Sequence, residues 1–118
     1  MGANISNMEC YPYASAQSSH IITFHSTAKW KVHFDASKGM NKLMVIDFTA
    51  TWCGPCKYMD HVIQDFAAKY TQVEFIKIDV DELMAMAAFI LMKKGKVIDK
   101  LVGAKTEELE TLIQNHLN

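Results

Sequence analysis

Apolar positions along the 118-residue chain change their period at well-marked points, and each change predicts an element. From His20 to His25, the residues Ile21, Ile22 and Phe24 with β-branched Thr23 predict a first strand. Ser26 or Thr27 can cap the helix that follows, in which Trp30 and Phe34 fall four apart and so share a face. Gly39 stands where that helix should stop, as a residue free to take the left-handed C′ conformation. Leu43 to Thr49 is apolar except for Asp47, long enough for a buried strand and too short for a helix. Beyond it Met59, Val62, Ile63, Phe66 and Tyr70 recur at helical spacing and predict one buried stripe. Val73 to Val80, with Phe75, Ile76 and Ile78, reads as a second inner strand. Strand, helix and strand in succession imply a parallel pair with a right-handed crossover.

The remainder is more compressed. Asp81 is a good N-cap for a short helix of about two turns reaching Ala88, with Leu83, Met84, Met86 and Ala87 able to bury one side. A strand over Phe89–Met92 then runs through Lys93-Lys94-Gly95-Lys96, a hairpin turn, into a partner strand over Val97–Val102. Gly103 permits a bend or a close backbone approach. The last helix, Thr106 to Leu117, carries Glu107 and Glu108 in its first turn and Leu109, Leu112, Ile113 and Leu117 on one face. The pattern predicts an α/β domain over residues 20–118, a mixed central β-sheet flanked by helices. Residues 1–19 show no periodicity and are expected to form a flexible extension.

Between the Asp47 strand and the Met59 helix lies Thr51-Trp52-Cys53-Gly54-Pro55-Cys56-Lys57. The motif therefore occupies a strand-to-helix turn, with Pro55 in the first helical turn, where a missing N–H costs nothing. Cys53 falls at the helix N-terminus. Unpaired N–H groups and the macrodipole favour a thiolate there, so Cys53 is expected to be exposed, to have a depressed pKa and to act as the nucleophile. Cys56, one turn inside and partly shielded, is the resolving thiol. The two-residue spacing brings the sulfurs within disulfide reach, so the pair can cycle between dithiol and disulfide. Asp47, a carboxylate in an apolar strand, should be desolvated with its pKa raised, and can exchange a proton with Cys56. Lys77, if it faces the same side, opposes that rise. A zinc site would need four ligands, and the only further cysteine is Cys10. A purely structural disulfide would constrain little, since its loop is so short.

Composition narrows the partners. Half the residues are apolar, enough for one core and no second domain. The formal charge is −1 and every basic residue is lysine, so nothing marks a nucleic-acid surface. Three cysteines, two of them in one motif, suit a reducing compartment. No apolar run approaches a membrane span, and residues 1–19 lack a signal-peptide core and the arginines of a transit sequence. Met1-Gly2-Ala3-Asn4-Ile5-Ser6 fits the pattern for N-myristoylation at Gly2. One acyl chain binds membranes marginally, which makes Cys10 either a palmitoylation candidate or a free thiol on the tail. A cytoplasmic protein, with peripheral membrane association if acylated, is the expected location. His25 and His33 read as surface or structural residues rather than ligands.

Asp47 through Lys57 resembles the thioredoxin family, and plant cytosolic h-type members above all. The resemblance continues through Phe75-Ile76-Lys77-Ile78-Asp79-Val80-Asp81-Glu82-Leu83, Lys93-Lys94-Gly95-Lys96 and Val102-Gly103-Ala104. It implies reduction of protein disulfides as part of cell redox homeostasis, no cofactor, and regeneration by an NADPH-dependent thioredoxin reductase or by the glutathione/glutaredoxin system. A monomer is expected, with Gly54 and Pro55 tuning the thiols, Trp52 on the docking surface and Lys77 beside the buried acid. Some extended plant members look acylated.

Two features depart from the family pattern. Members carry a cis-proline before the strand that here starts at Ala88 or Phe89, whereas Pro12 and Pro55 are the only prolines in this chain. The segment between Leu83 and Phe89 is also about ten residues shorter than the resemblance implies. A strand at Phe89 antiparallel to the Asp47 strand would need the connection to cross only about 10 Å, which eight residues span. The fold should survive, while substrate binding weakens. His61 replaces a proline that would kink the motif helix, so that helix can run straight. The rival readings are a truncated, poorly active interaction module, and a dimer holding a metal or iron–sulfur group between two copies of the motif.

Overall fold

A computed structural model describes residues 21–50, 53–79 and 87–117. Eight elements appear among them. Strand β1 spans Ile21–Phe24, helix α1 Thr27–Ser37, β2 Met44–Thr49, helix α2 Gly54–Lys69, β3 Glu74–Asp79, β4 Ala88–Lys93, β5 Lys96–Val102 and helix α3 Thr106–Asn115. They build a five-stranded mixed sheet in the order β1-β3-β2-β4-β5. β1 and β2 both pair parallel with β3, with Asp47 opposite Lys77, while β4 runs antiparallel to β2 and β5 antiparallel to β4. The expected parallel unit around α2 and the expected reversal at Phe89 are both present. β3 and β4 lie on either side of β2, two strand spacings apart, as expected. The extension at 1–19 and the short helix expected from Asp81 lie outside the described residues, apart from Ala87 and Ala88.

Alternation along β2 divides its side chains between two cores. Val45 joins the larger cluster with Cys53, Cys56, Met59, Ile63 and Phe66 of the α2 region, Phe75 of β3, Phe89 and Leu91 of β4, and Leu109 and Ile113 of α3. Met44 and Ile46 point to the opposite face, where they meet Ile76 and Met92 beneath α1. Asp47 and Thr49 share the parity of Val45 and so face α2. The tail of α2 is tied to α3: Glu110 Oε2 accepts from Tyr70 Oη at 2.6 Å and from Lys69 Nζ at 2.6 Å, while Gln114 Nε2 donates to Tyr70 Oη at 3.0 Å. On the other face His33 Nε2 meets Glu74 Oε2 at 3.1 Å, a structural link between α1 and β3.

Ser26 caps α1, accepting from the Lys29 N–H at 3.4 Å. Lys94 and Gly95 both have positive φ, 53° and 77°, which makes the β4–β5 connection a two-residue turn of the type that matches strand twist. Gly103, at φ 108°, bends the chain so that its N–H reaches the Ala87 carbonyl at 2.7 Å. Gly39 is a correction: α1 ends at Ser37 with Lys38 still right-handed, and Gly39 is not among the left-handed residues. Its helix stops because the Lys38 N–H turns to the Asp35 carbonyl, closing a tighter final turn. The last helix likewise ends at Asn115, short of Leu117, although Leu117 still packs on the core.

Candidate active site

Strand β2 ends at Thr49, and the chain reaches α2 through Ala50 and Cys53, whose N–H donates to the Ala50 carbonyl at 3.2 Å. Cys53 is the N-cap of α2, in extended conformation, with Pro55 in the first turn. Its Sγ accepts from the Cys56 N–H at 3.2 Å. A side-chain acceptor at this position satisfies one of the helix's unpaired donors, and any negative charge on it gains from the helix dipole. Cys53 and Cys56 are joined in a disulfide, with Cα atoms 5.2 Å apart. α2 continues unbroken through His61 for 16 residues.

Burial corrects two expectations. Cys53 is only 2% exposed and Cys56 is fully buried, so neither thiol position is open in the oxidised state. What surrounds them is open: Gly54, Pro55, Lys57 and Tyr58 all lie at the surface. Helical geometry explains the contrast, because Cys56, Met59 and Ile63 lie on the stripe that packs against the sheet. Trp52, Gly2 and Cys10 lie outside the described residues.

Asp47 is fully buried on β2, and neither of its carboxylate oxygens has a hydrogen-bond partner. Burial pushes its pKa from the usual 3.8 up to about 8, the neighbouring Asp60 carboxyl adds to the rise, and the Lys77 ammonium opposes it. The sequence reading of a desolvated acid therefore holds, and Lys77 acts in the expected direction as the weakest of these influences.

Asp60 was missed by the sequence reading. It sits four residues after Cys56 on α2, one turn along the same side. Its Oδ2 accepts from Thr49 Oγ1 at 3.4 Å, and its Oδ1 lies 3.6 Å from Lys77 Nζ. Thr49, Asp60 and Lys77 also line a groove of about 390 Å³, together with Lys57, Asp79 and His25. The i, i+4 spacing from Cys56 was the available signal. In an amphipathic helix, a lone aspartate between Met59 and Ile63 passes for a solvent-facing residue.

A dithiol/disulfide pair at a helix N-terminus can exchange electrons with another disulfide. The thioredoxin family model matches residues 21–115. The chain belongs to the thioredoxin family. It is 41% identical to Thioredoxin H7 of Arabidopsis thaliana over 127 aligned positions, covering 98% of each chain. Against Thioredoxin H2-2 of Oryza sativa subsp. japonica it is 43% identical over 122 positions, covering 93% of this chain and 91% of the relative. Among solved structures, thioredoxin NaTrxh from Nicotiana alata superposes with a TM-score of 0.79 at 51% identity, covering 84% of this chain and 94% of that one. The thioredoxin-like fold expected from the sequence is thereby shown, and the activity class is thiol–disulfide oxidoreductase. Since 127 aligned positions exceed the 118 residues of this chain, at least nine positions of the Arabidopsis relative face a gap here. No helix among the described residues is long and apolar enough to cross a membrane.

Proposed function

We propose that residues 20–118 form a thioredoxin domain that reduces disulfides of protein substrates through the Cys53-Gly54-Pro55-Cys56 dithiol, following an extension at 1–19. Cys53 attacks one sulfur of the target disulfide, the target S–S bond breaks with its electron pair leaving on the other sulfur as a thiolate, and a mixed disulfide with Cys53 is formed. Cys56 then attacks Cys53 Sγ, the target departs as a thiolate that takes up a proton, and the chain is left with the Cys53–Cys56 disulfide. Asp47 accepts the Cys56 proton. Lys77 tempers that acid, Gly54 and Pro55 shape the turn, and Trp52 docks the target. A thioredoxin reductase drawing on NADPH, or the glutathione/glutaredoxin system, restores the dithiol in the cytoplasm, and the chain works as a monomer in redox homeostasis. Gly2 stays a candidate for myristoylation and Cys10 for a second acyl group, and intact mass from the native host decides both.

The observation that carries this reading is the Cys53 Sγ at the α2 N-terminus, bonded to Cys56. Dithiol-driven reduction of a protein disulfide tests it, comparing the full chain with Cys53→Ser. The wild type should turn over and the variant should lose about 1,000-fold or more, since the nucleophile itself is gone. Cys56→Ser should instead accumulate a covalent adduct with the substrate that added dithiol releases.

The positions missing relative to Thioredoxin H7 favour one second reading, an interaction module that binds redox partners and turns over poorly. A folded wild type, confirmed by circular dichroism, that fails to exceed Cys53→Ser would select it.

A further inference from the structure

Three side-chain atoms among the described residues are buried with no hydrogen-bond partner, Asp47 Oδ1, Asp47 Oδ2 and Asp60 Oδ1, and Lys77 links the two acids, standing opposite Asp47 in register and 3.6 Å from Asp60 Oδ1. A buried acceptor without a donor is costly, and two adjacent carboxylates disfavour each other's ionisation. No side chain on the facing elements supplies the missing donor to Asp47. β4 presents Phe89 directly opposite it, and α3 brings the apolar Leu109 and Ile113 to the same core. Lys77 on β3 lies beside Asp47 in register, yet its ammonium is placed 3.6 Å from Asp60 Oδ1. Thr49 Oγ1 donates to the other Asp60 oxygen. The remaining charged groups, Lys57, Asp79 and His25, line the groove rather than the buried side.

We propose that Asp47 and Asp60 hold one proton between them, and that Asp60 is the positioning residue through which this buried pair exchanges protons with the solvent groove. A shared proton gives one oxygen of each carboxyl a partner and leaves the pair with a single negative charge, which Lys77 faces. Asp47 has no exposed surface, whereas the Asp60 side chain is 23% exposed and lines the groove. The dyad thus runs from the enclosed interior of β2 to the groove.

The purpose of this arrangement rests on the thiol–disulfide reading. When Cys56 attacks the mixed disulfide, the new S–S bond forms to Cys53, the bond from Cys53 to the target sulfur breaks, and its electron pair leaves with the target. The Cys56 proton goes to the singly protonated dyad, which becomes neutral and then releases a proton through Asp60 to the groove. One base site is therefore open while the other carboxyl is already protonated, a state that a lone buried acid with raised proton affinity lacks at neutral pH.

Carboxyl carbon titration by NMR on the oxidised full chain tests the pairing without requiring turnover. In the wild type, the Asp47 and Asp60 carbons should each report two shared steps rather than one private step each. In Asp60→Asn, Asp47 should titrate in a single step at least one pH unit lower, a tenfold loss of proton affinity. Asp60→Glu, which restores a carboxyl, should restore the two steps, whereas a role confined to packing would leave the Asp47 curve in place. An Asp47 curve unmoved by Asp60→Asn, in a variant whose amide spectrum shows it folded, overturns the proposal. The pH profile of protein-disulfide reduction should move with the titration. If the carbons behave as a dyad but no protein disulfide is ever reduced, the pairing stands and the oxidoreductase reading falls. Reduction with independent Asp47 and Asp60 titrations gives the reverse.

Discussion

The two faces of the sheet are built to different standards. Towards α2 and α3, the side chains of Val45, Phe75, Leu91, Met59, Ile63, Leu109 and Ile113 are fully buried, and the one ionisable group enclosed with them, Asp47, is just as inaccessible. Towards α1 the buried set is Met44, Ile46, Ile76 and Met92, ringed by half-buried Phe24, Trp30, Phe34, Phe48, Ile78 and Ile90. A groove of about 400 Å³ stays open there between Trp30, Phe34, Phe48 and Val97. The contrast shows where chemistry can be placed. A carboxyl alters its proton affinity by several pH units only where packing excludes water, and α2 with α3 supplies that packing while α1 alone does not.

The sharpest way to break this comparison is to remove the ionisable carboxyl. With its pKa raised from 3.8 to about 8, Asp47 keeps its proton in the folded state over a window where the unfolded chain has lost it. Folding then takes up a proton, so stability falls as pH rises through that window and stays lowered above it. Asp47→Asn should remove this dependence, and its stability relative to wild type should rise by about 5 kcal/mol between pH 4 and pH 9 in urea titrations. A difference that is flat with pH would mean that the site is wet. Next in size, Ile63→Ala on the closed face should cost about 3 kcal/mol, because the cavity cannot collapse. Phe34→Ala on the open face should cost about half as much despite the larger side chain, since its ring is only partly buried. Smallest is Gly95→Ala at the hairpin tip beside α1. A Cβ there would come within 2.9 Å of Lys38 Cγ at φ 77°, and a loss of about 1 kcal/mol in thermal unfolding is expected.

How much of this was legible in the sequence follows the same division. Strands β2, β3, β4 and β5 announced themselves as short apolar runs between turn residues, and the cysteine motif fixed the start of α2. Asp47 could be found because a single carboxylate interrupts an apolar strand. Asp60 could not be found in the same way, because helical periodicity locates a stripe but not its edges. Asp60 lies at the margin between Met59, which is buried, and His61, which is exposed. Only the parallel register, with Lys77 opposite Asp47, shows that the margin meets charge from β3. Gly39 misled because glycine is read as a helix stop wherever a helix must stop, while the chain here closed its last turn through Lys38. The burial of Cys53 was hidden for a related reason. A helix N-terminus is open by default, and its enclosure depends on contacts remote in sequence.

Strand β2 occupies the middle of the five-stranded sheet, hydrogen-bonded to β3 on one side and β4 on the other. Edge strands such as β1 and β5 can fray one at a time, but β2 cannot separate from its neighbours unless most of the domain opens with it. Its amides should therefore be the slowest in the chain to exchange deuterium. The carboxyl of Asp47 is anchored to that most reluctant segment, so breathing of the domain gives it no access to water, and its protons must travel along side chains.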